Sequence, residues 1–164
     1  MRRLRRPPTS LLDKFHGNEV QALYTGKVVV TGGEAAHGRA SGVARSEDGE
    51  LELHLRLPRE LGGDGGGTNP EQLLAAGYAA CFHGALSLLA ARRGLDIPDV
   101  TVTAAVTFGR DPIDGLFLLT SEIRVAIPGV DRALAEELLR NTERNCPYTK
   151  MFRQGIESVV ALAT

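Results

Sequence analysis

At 164 residues, with 43% hydrophobic and 24% charged content, the chain is long enough for one domain with a proper core and has the balance of an ordinary globular protein. Its formal net charge of −1 excludes the strongly basic profile of a general nucleic-acid binder or of a protein held on an anionic membrane surface. Two cysteines 65 positions apart, with no secretory h-region, make no disulfide scaffold; in the cytosolic chain expected here, such a pair is reactive if the fold brings the thiols together.

Residues 1–8 hold four arginines and two prolines, and residues 1–20 read as an N-terminal extension, flexible or added as an edge strand, ahead of a domain over 21–164. Residues 20–31 are rich in β-formers and end at Gly32-Gly33, a strand and a turn. Residues 38–45 read as a second strand and Ser46-Glu47-Asp48-Gly49 as a turn. Residues 50–57 then alternate strictly, with Leu51, Leu53, Leu55 and Leu57 on one face, the pattern of a half-buried strand. Three consecutive strands make a meander. The glycine-rich residues 58–68 follow. A strand, a glycine loop and a helix is the layout of a phosphate site, but no Lys-Ser/Thr closes this loop and G-x-G-x-x-G spacing is absent. It reads instead as a flexible wall beside a site.

The next stretch organises the chain. Thr68 followed by Glu71 fits a capping box, Pro70 falls in the first turn, and Gly94 after Arg92 and Arg93 fits a helix end. From Leu73 to Ala91 there is no Asp, Glu, Lys or Arg, and a helix apolar on every side belongs inside something. Its length raises the membrane question, but it is mostly alanine, interrupted by Gly77, His83, Gly84 and Ser87, which favours a soluble core helix. The small residues Ala75, Ala76, Gly77, Ala79 and Ala80 would let a second backbone approach closely. A domain of this size rarely covers such a helix, so a partner subunit is expected.

Residues 100–110 and 116–127 read as strands joined by the turn Asp111-Pro112-Ile113-Asp114-Gly115. Asp131 caps a second helix over 132–145 with the stripe Leu134, Ala135, Leu138 and Leu139, and Cys146-Pro147 stops it. Residues 156–163 read as a last strand. The order β-β-β-α-β-β-α-β gives an α+β fold with mainly antiparallel strands.

The two thiols differ. Cys81 lies mid-helix, away from that helix's positive pole, and needs a cation from elsewhere to become a nucleophilic thiolate. Cys146 lies at a helix C-terminus, where the dipole disfavours a thiolate. The asymmetry suggests that Cys81 attacks and Cys146 resolves. Glu71 precedes Cys81 by about 15 Å along a helix axis. Two such helices crossing antiparallel near Ala76-Gly77 would bring Glu71 of one copy close to Cys81 of the other. A carboxylate there would repel a thiolate, so its task would be to hold an arginine in place. His83 sits about 200° around the helix from Cys81 and reads as a core or interface residue, as Tyr78 and Phe82 read as core. Two cysteines and His83 have no zinc-site spacing, no G-x-S-x-G elbow supports a hydrolase, and no His/Asp relay for acyl transfer can be placed.

The run Glu60-Leu61-Gly62-Gly63, then Gly67-Thr68-Asn69-Pro70-Glu71-Gln72-Leu73, then Ala75-Ala76-Gly77-Tyr78-Ala79-Ala80-Cys81-Phe82, resembles the organic hydroperoxide resistance (Ohr) branch of the OsmC superfamily. Cys146-Pro147-Tyr148 is similar to that branch's second cysteine motif, in the expected order and separation. The resemblance implies an OsmC-like fold, mainly antiparallel sheets packed around a long central helix, in an intertwined homodimer. It implies a thiol peroxidase for organic hydroperoxides: Cys81 becomes a sulfenic acid, Cys146 condenses with it to a disulfide, and lipoylated proteins or another dithiol restore the pair. No metal, haem or flavin is implied. The family's activating arginine, paired with the glutamate matching Glu71, lies in the loop after the first strand. Here Glu34 follows Gly32-Gly33 where that arginine is usual, and Arg39 stands at the expected distance, with Arg45 as the fallback. Leu61 and Met151 lining the site would favour bulky peroxides. The reading from another class is a non-catalytic redox sensor or binding protein on the same fold.

Overall fold

The computed structural model describes residues 9–34 and 40–163. They form two compact units, described separately: one of Phe15–Ala76 with Val106–Thr120, the other of Gly77–Ala105 and Ser121–Thr164 with the N-terminal residues through Lys14. The protein is α+β, as expected.

In the first unit, strands β1 (Val28–Thr31), β2 (Val43–Ser46) and β3 (Glu52–His54) form an antiparallel meander, with Val30 opposite Ala44 and Ala44 opposite Leu53. The three-strand order matches the expectation, but the strands are shorter. Residues 20–27 carry no strand, and Val20, Leu23 and Tyr24 stand exposed, as do Val28, Val29 and Val30 of β1. The glycine loop is tied down rather than open. A 3₁₀ turn over Arg59–Leu61 ends at Gly62, Gly63 N–H donates to the Pro58 carbonyl, and Arg59 Nε donates to the Asp64 carbonyl. A Cβ on Gly63 would lie 2.1 Å from the Leu57 carbonyl oxygen, so only glycine lets the loop fold back this closely. Thr68 then bridges Leu55 in parallel and delivers the chain to a helix.

That helix is α1 (Pro70–Arg92), and its start corrects the capping assignment. Asn69, not Thr68, is the cap: its Oδ1 accepts from Gln72 N–H at 2.9 Å, while the Thr68 hydroxyl donates to the Gln72 side chain. Pro70 is therefore the first helical residue, where its missing N–H removes no bond. The far end is as expected. Leu95 N–H donates to the Ala90 carbonyl and Gly94 N–H to the Ala91 carbonyl, with Gly94 at φ +71°, a Schellman end. By length and composition α1 could cross a membrane, with mean hydropathy 1.6 over its most apolar window.

The second unit holds most of the core. Leu86 and Ala90 of α1 pack with Ile97, Val100 and Leu138, the last from helix α2 (Arg132–Asn145), with Val125 of strand β5 (Phe117–Ala126) against them. Helix α3 (Pro147–Gln154) and strand β4 (Thr101–Arg110) carry Tyr148, Val102 and Ala104 to a second cluster around Tyr78 and Phe82. The hairpin turn, which belongs to the first unit, closes as read, Asp111 N–H donating to the Leu116 carbonyl. Asp131 caps α2 by accepting from Ala133 and Leu134 N–H, and Leu138 of the expected stripe is fully buried.

Two expectations fail here. Cys146-Pro147 does not merely stop α2: Pro147 is the first residue of α3, and Cys146 joins the two helices in an extended conformation, φ −78° and ψ 116°. The final strand is absent, residues 156–163 carrying no regular structure with Ile156, Val159, Val160 and Leu162 exposed. A strand needs a neighbour to take its backbone hydrogen bonds, and this segment pairs with none among the described residues.

Candidate active site

Cys81 and Cys146 meet in the second unit. Their sulfurs lie 3.6 Å apart, both thiols free, with Cys146 fully buried and Cys81 half-buried. Two elements place them. α1 carries Tyr78, Cys81 and Phe82 toward one cluster, and the break between α2 and α3 turns Cys146 inward beneath Tyr148 and Leu139. Val102 and Ala104 from β4 and Ile123 and Val125 from β5 complete an apolar wall. Bond formation requires the sulfurs to close to about 2.05 Å, a modest movement for a residue in an extended inter-helix joint.

Burial, first, and the neighbouring Cys146 thiol, second, push the Cys81 thiol up from 9.0 to about 11. The Tyr148 backbone N–H donates toward the Cys81 sulfur and pulls the other way. This donor belongs to the first turn of α3, whose N-cap residue, Cys146, makes no side-chain cap bond. Cys81, remote from the start of α1, thus lies beside the start of α3, its sulfur 3.6 Å from that of Cys146, the residue preceding that helix. The signal in the sequence was Pro147, a residue suited to starting a helix as much as to stopping one.

Around the sulfurs Tyr78 is the hub. Its ring packs on Phe152 at 4.9 Å, lies nearly parallel to Tyr148 at 6.3 Å and meets Phe82 edge-on at 6.2 Å. Its hydroxyl hydrogen-bonds Thr149 Oγ1 at 3.2 Å, both residues buried. Tyr78 and Phe82 are core, as expected. Gly77 has a use within the single chain. A Cβ there would sit 2.7 Å from the Tyr148 hydroxyl oxygen, so the missing side chain makes room for the chain's own α3. Ala76, Ala80 and Gly84 stay exposed, and His83 is exposed beside them rather than in the core of this chain.

Glu71 lies half-buried in the first turn of α1. Arg39 falls outside the described residues. Arg45, on β2, holds Glu52 at 2.9 Å on the exposed sheet surface. Met151 is half-buried on α3 and Leu61 is exposed. Among the described residues no group of three or more His, Cys, Asp or Glu side chains could hold a metal ion. A cavity of about 440 Å³ in the first unit, bordered by His54, Arg56 and Asp64, contains neither cysteine.

A helix-borne thiol in contact with a second thiol inside an apolar cluster makes this a dithiol protein, and the OsmC-like protein family model matches residues 63–160. The organic hydroperoxide resistance protein of Xanthomonas axonopodis pv. citri is 43% identical over 145 residues, 87% of this chain and 96% of that protein. The crystal structure of such a protein from Legionella pneumophila matches with TM-score 0.72 at 40% identity, covering 82% of this chain and 93% of that one. Another, from Elizabethkingia anophelis, matches with TM-score 0.73 at 38% identity, covering 84% and 94%. The chain belongs to the organic hydroperoxide resistance branch of the OsmC family.

Proposed function

We propose that this protein is a cytoplasmic, homodimeric thiol peroxidase that reduces organic hydroperoxides to alcohols. The observation that carries the reading is the pair of free sulfurs 3.6 Å apart in an apolar cluster. The Cys81 thiolate attacks the outer peroxide oxygen, the O–O bond breaks, and the alkoxide takes a proton and leaves as the alcohol. Cys81 is oxidised to a sulfenic acid. The Cys146 sulfur then attacks the Cys81 sulfur, forming the disulfide and releasing water. A dithiol, a lipoyl group in the family's scheme, reduces the disulfide by two exchange steps and becomes a disulfide itself.

At a pKa near 11 too little thiolate exists at neutral pH for fast attack. The reading supplies the missing cation as Arg39, held by Glu71 beside the partner subunit's Cys81, with Arg45 as the fallback. Exposed apolar surface in the single chain supports a dimer: the β1 valines, the C-terminal Ile156, Val159 and Val160, and the Ala76-Ala80-Gly84 face of α1. In that dimer α1 is covered by protein rather than lipid.

The test is steady-state turnover of tert-butyl hydroperoxide against hydrogen peroxide, with lipoamide and thioredoxin systems in parallel. Sustained turnover of the organic peroxide is expected. A protein that reacts once and stalls with every dithiol is a redox sensor instead.

A further inference from the structure

The two sulfurs belong to different elements, and something must keep α3 seated on α1 for them to face each other. Between the two helices the structure offers one buried side-chain hydrogen bond, Tyr78 Oη to Thr149 Oγ1 at 3.2 Å, and it sits within one helical turn of both thiols. Tyr78 is three residues before Cys81 on α1, and Thr149 is three residues after Cys146 on α3. Tyr148, between Thr149 and Cys146, lies alongside the Tyr78 ring and gives its N–H to the Cys81 sulfur. Both residues are buried, where an unpaired hydroxyl is costly, and the two hydroxyls satisfy each other with both thiols reduced.

We propose that Tyr78 and Thr149 form a latch that fixes the N-terminus of α3 on α1 and thereby sets the approach of Cys146 to Cys81. They are positioning residues. They touch no peroxide atom and act through the backbone of α3. The inference rests on the roles proposed above, with Cys81 attacking and Cys146 resolving. Without the latch, α3 slides on the apolar face of Tyr78, the Tyr148 N–H leaves Cys81, and the sulfenic acid waits longer for the second thiol. A sulfenic acid that waits meets a second peroxide and is driven to sulfinic acid, with the peroxide reduced to a second alcohol.

The full-length variants Tyr78→Phe, Thr149→Val and Thr149→Ser test this with cumene hydroperoxide. Three quantities are read: the rate of disulfide closure by stopped flow, the sulfinic fraction by intact mass, and the Cys81 thiolate titration by ultraviolet absorbance. Tyr78→Phe and Thr149→Val should slow closure roughly fivefold or more, as expected for loss of one buried hydrogen bond, and raise the sulfinic fraction. They should also shift the thiolate titration to lower pH, because the Cys146 thiol that raises it moves away with α3 and outweighs the Tyr148 N–H. Thr149→Ser, which keeps the hydroxyl, should restore all three. Closure and titration unchanged in folded Tyr78→Phe and Thr149→Val would overturn the latch. So would failure of Thr149→Ser to restore them. Should Thr149→Val not fold, the near-isosteric Tyr78→Phe decides alone. If wild type itself forms no Cys81–Cys146 disulfide, the proposed function fails; normal wild-type closure with indifferent variants removes only the latch.

Discussion

Replacing Gly77 by alanine sets two well-defined effects against each other. Gly77 has ordinary helical backbone angles inside α1, so on an open helix surface the change would stabilise by about 1 kcal/mol. The new Cβ, however, would stand 2.7 Å from the Tyr148 hydroxyl oxygen and 3.1 and 3.2 Å from two of its ring carbons. A tyrosine ring cannot fold out of the way as a lysine end could, and Tyr148 is wedged beside Tyr78, so the α3 backbone has to move. Overpacking of this kind typically costs about 1–3 kcal/mol, which cancels or exceeds the propensity gain. The expected result in urea unfolding of the reduced protein is a loss of roughly 0–2 kcal/mol. Disulfide closure after hydroperoxide addition should slow at the same time, because the displaced ring carries α3 and Cys146 with it. A variant about 1 kcal/mol more stable than wild type, closing its disulfide at the wild-type rate, would refute the reasoning.

Other substitutions give separate checks. Cys81→Ser should abolish peroxidase turnover, while Cys146→Ser should react once and accumulate sulfinic acid, as intact mass would record; equal turnover in either variant refutes the assigned roles. Arg39→Gln tests the missing cation: the Cys81 thiolate titration should move from below its ordinary 9.0 in wild type up toward about 11. For that variant the sign of the pH effect follows. A thiol whose pKa is raised in the folded protein contributes stability below its unfolded value, and this is lost as pH rises from 9.0 through about 11. Urea midpoints of reduced Arg39→Gln should therefore fall across that window, and those of Arg39→Gln/Cys81→Ser should not. Asn69→Ala should lower stability by about 1 kcal/mol through loss of the cap on Gln72, and Thr68→Ala by less; the reverse ranking would restore Thr68 as the cap.

The long elements and both thiols were legible because their signals are local. Gly94 ends α1, Asp131 caps α2, and the Asp111–Gly115 turn closes the hairpin where composition put them. Thr68 and Asn69 are both good caps, and only the requirement that proline be the first helical residue separates them. α3 is hidden in the sequence because Cys146-Pro147 signals an end as well as a start, although Tyr148, Thr149 and Phe152 behind it follow helical spacing. The expected terminal strand rests on β-propensity, which reports what a segment pairs well with and not whether a neighbour is present in the same chain. Contact between residues 65 apart is a product of the fold, and no spacing rule gives it. The motif resemblance supplied the pairing; the geometry then put the two sulfurs within reach.

The most direct test of the proposed chemistry is to add one equivalent of an organic hydroperoxide to the fully reduced protein and map the product by peptide mass. One alcohol released per chain, with Cys81 and Cys146 of the same chain joined, is the expected result. Thiols left intact, a sulfenic acid that persists beside a free Cys146, or a bond between chains would contradict it.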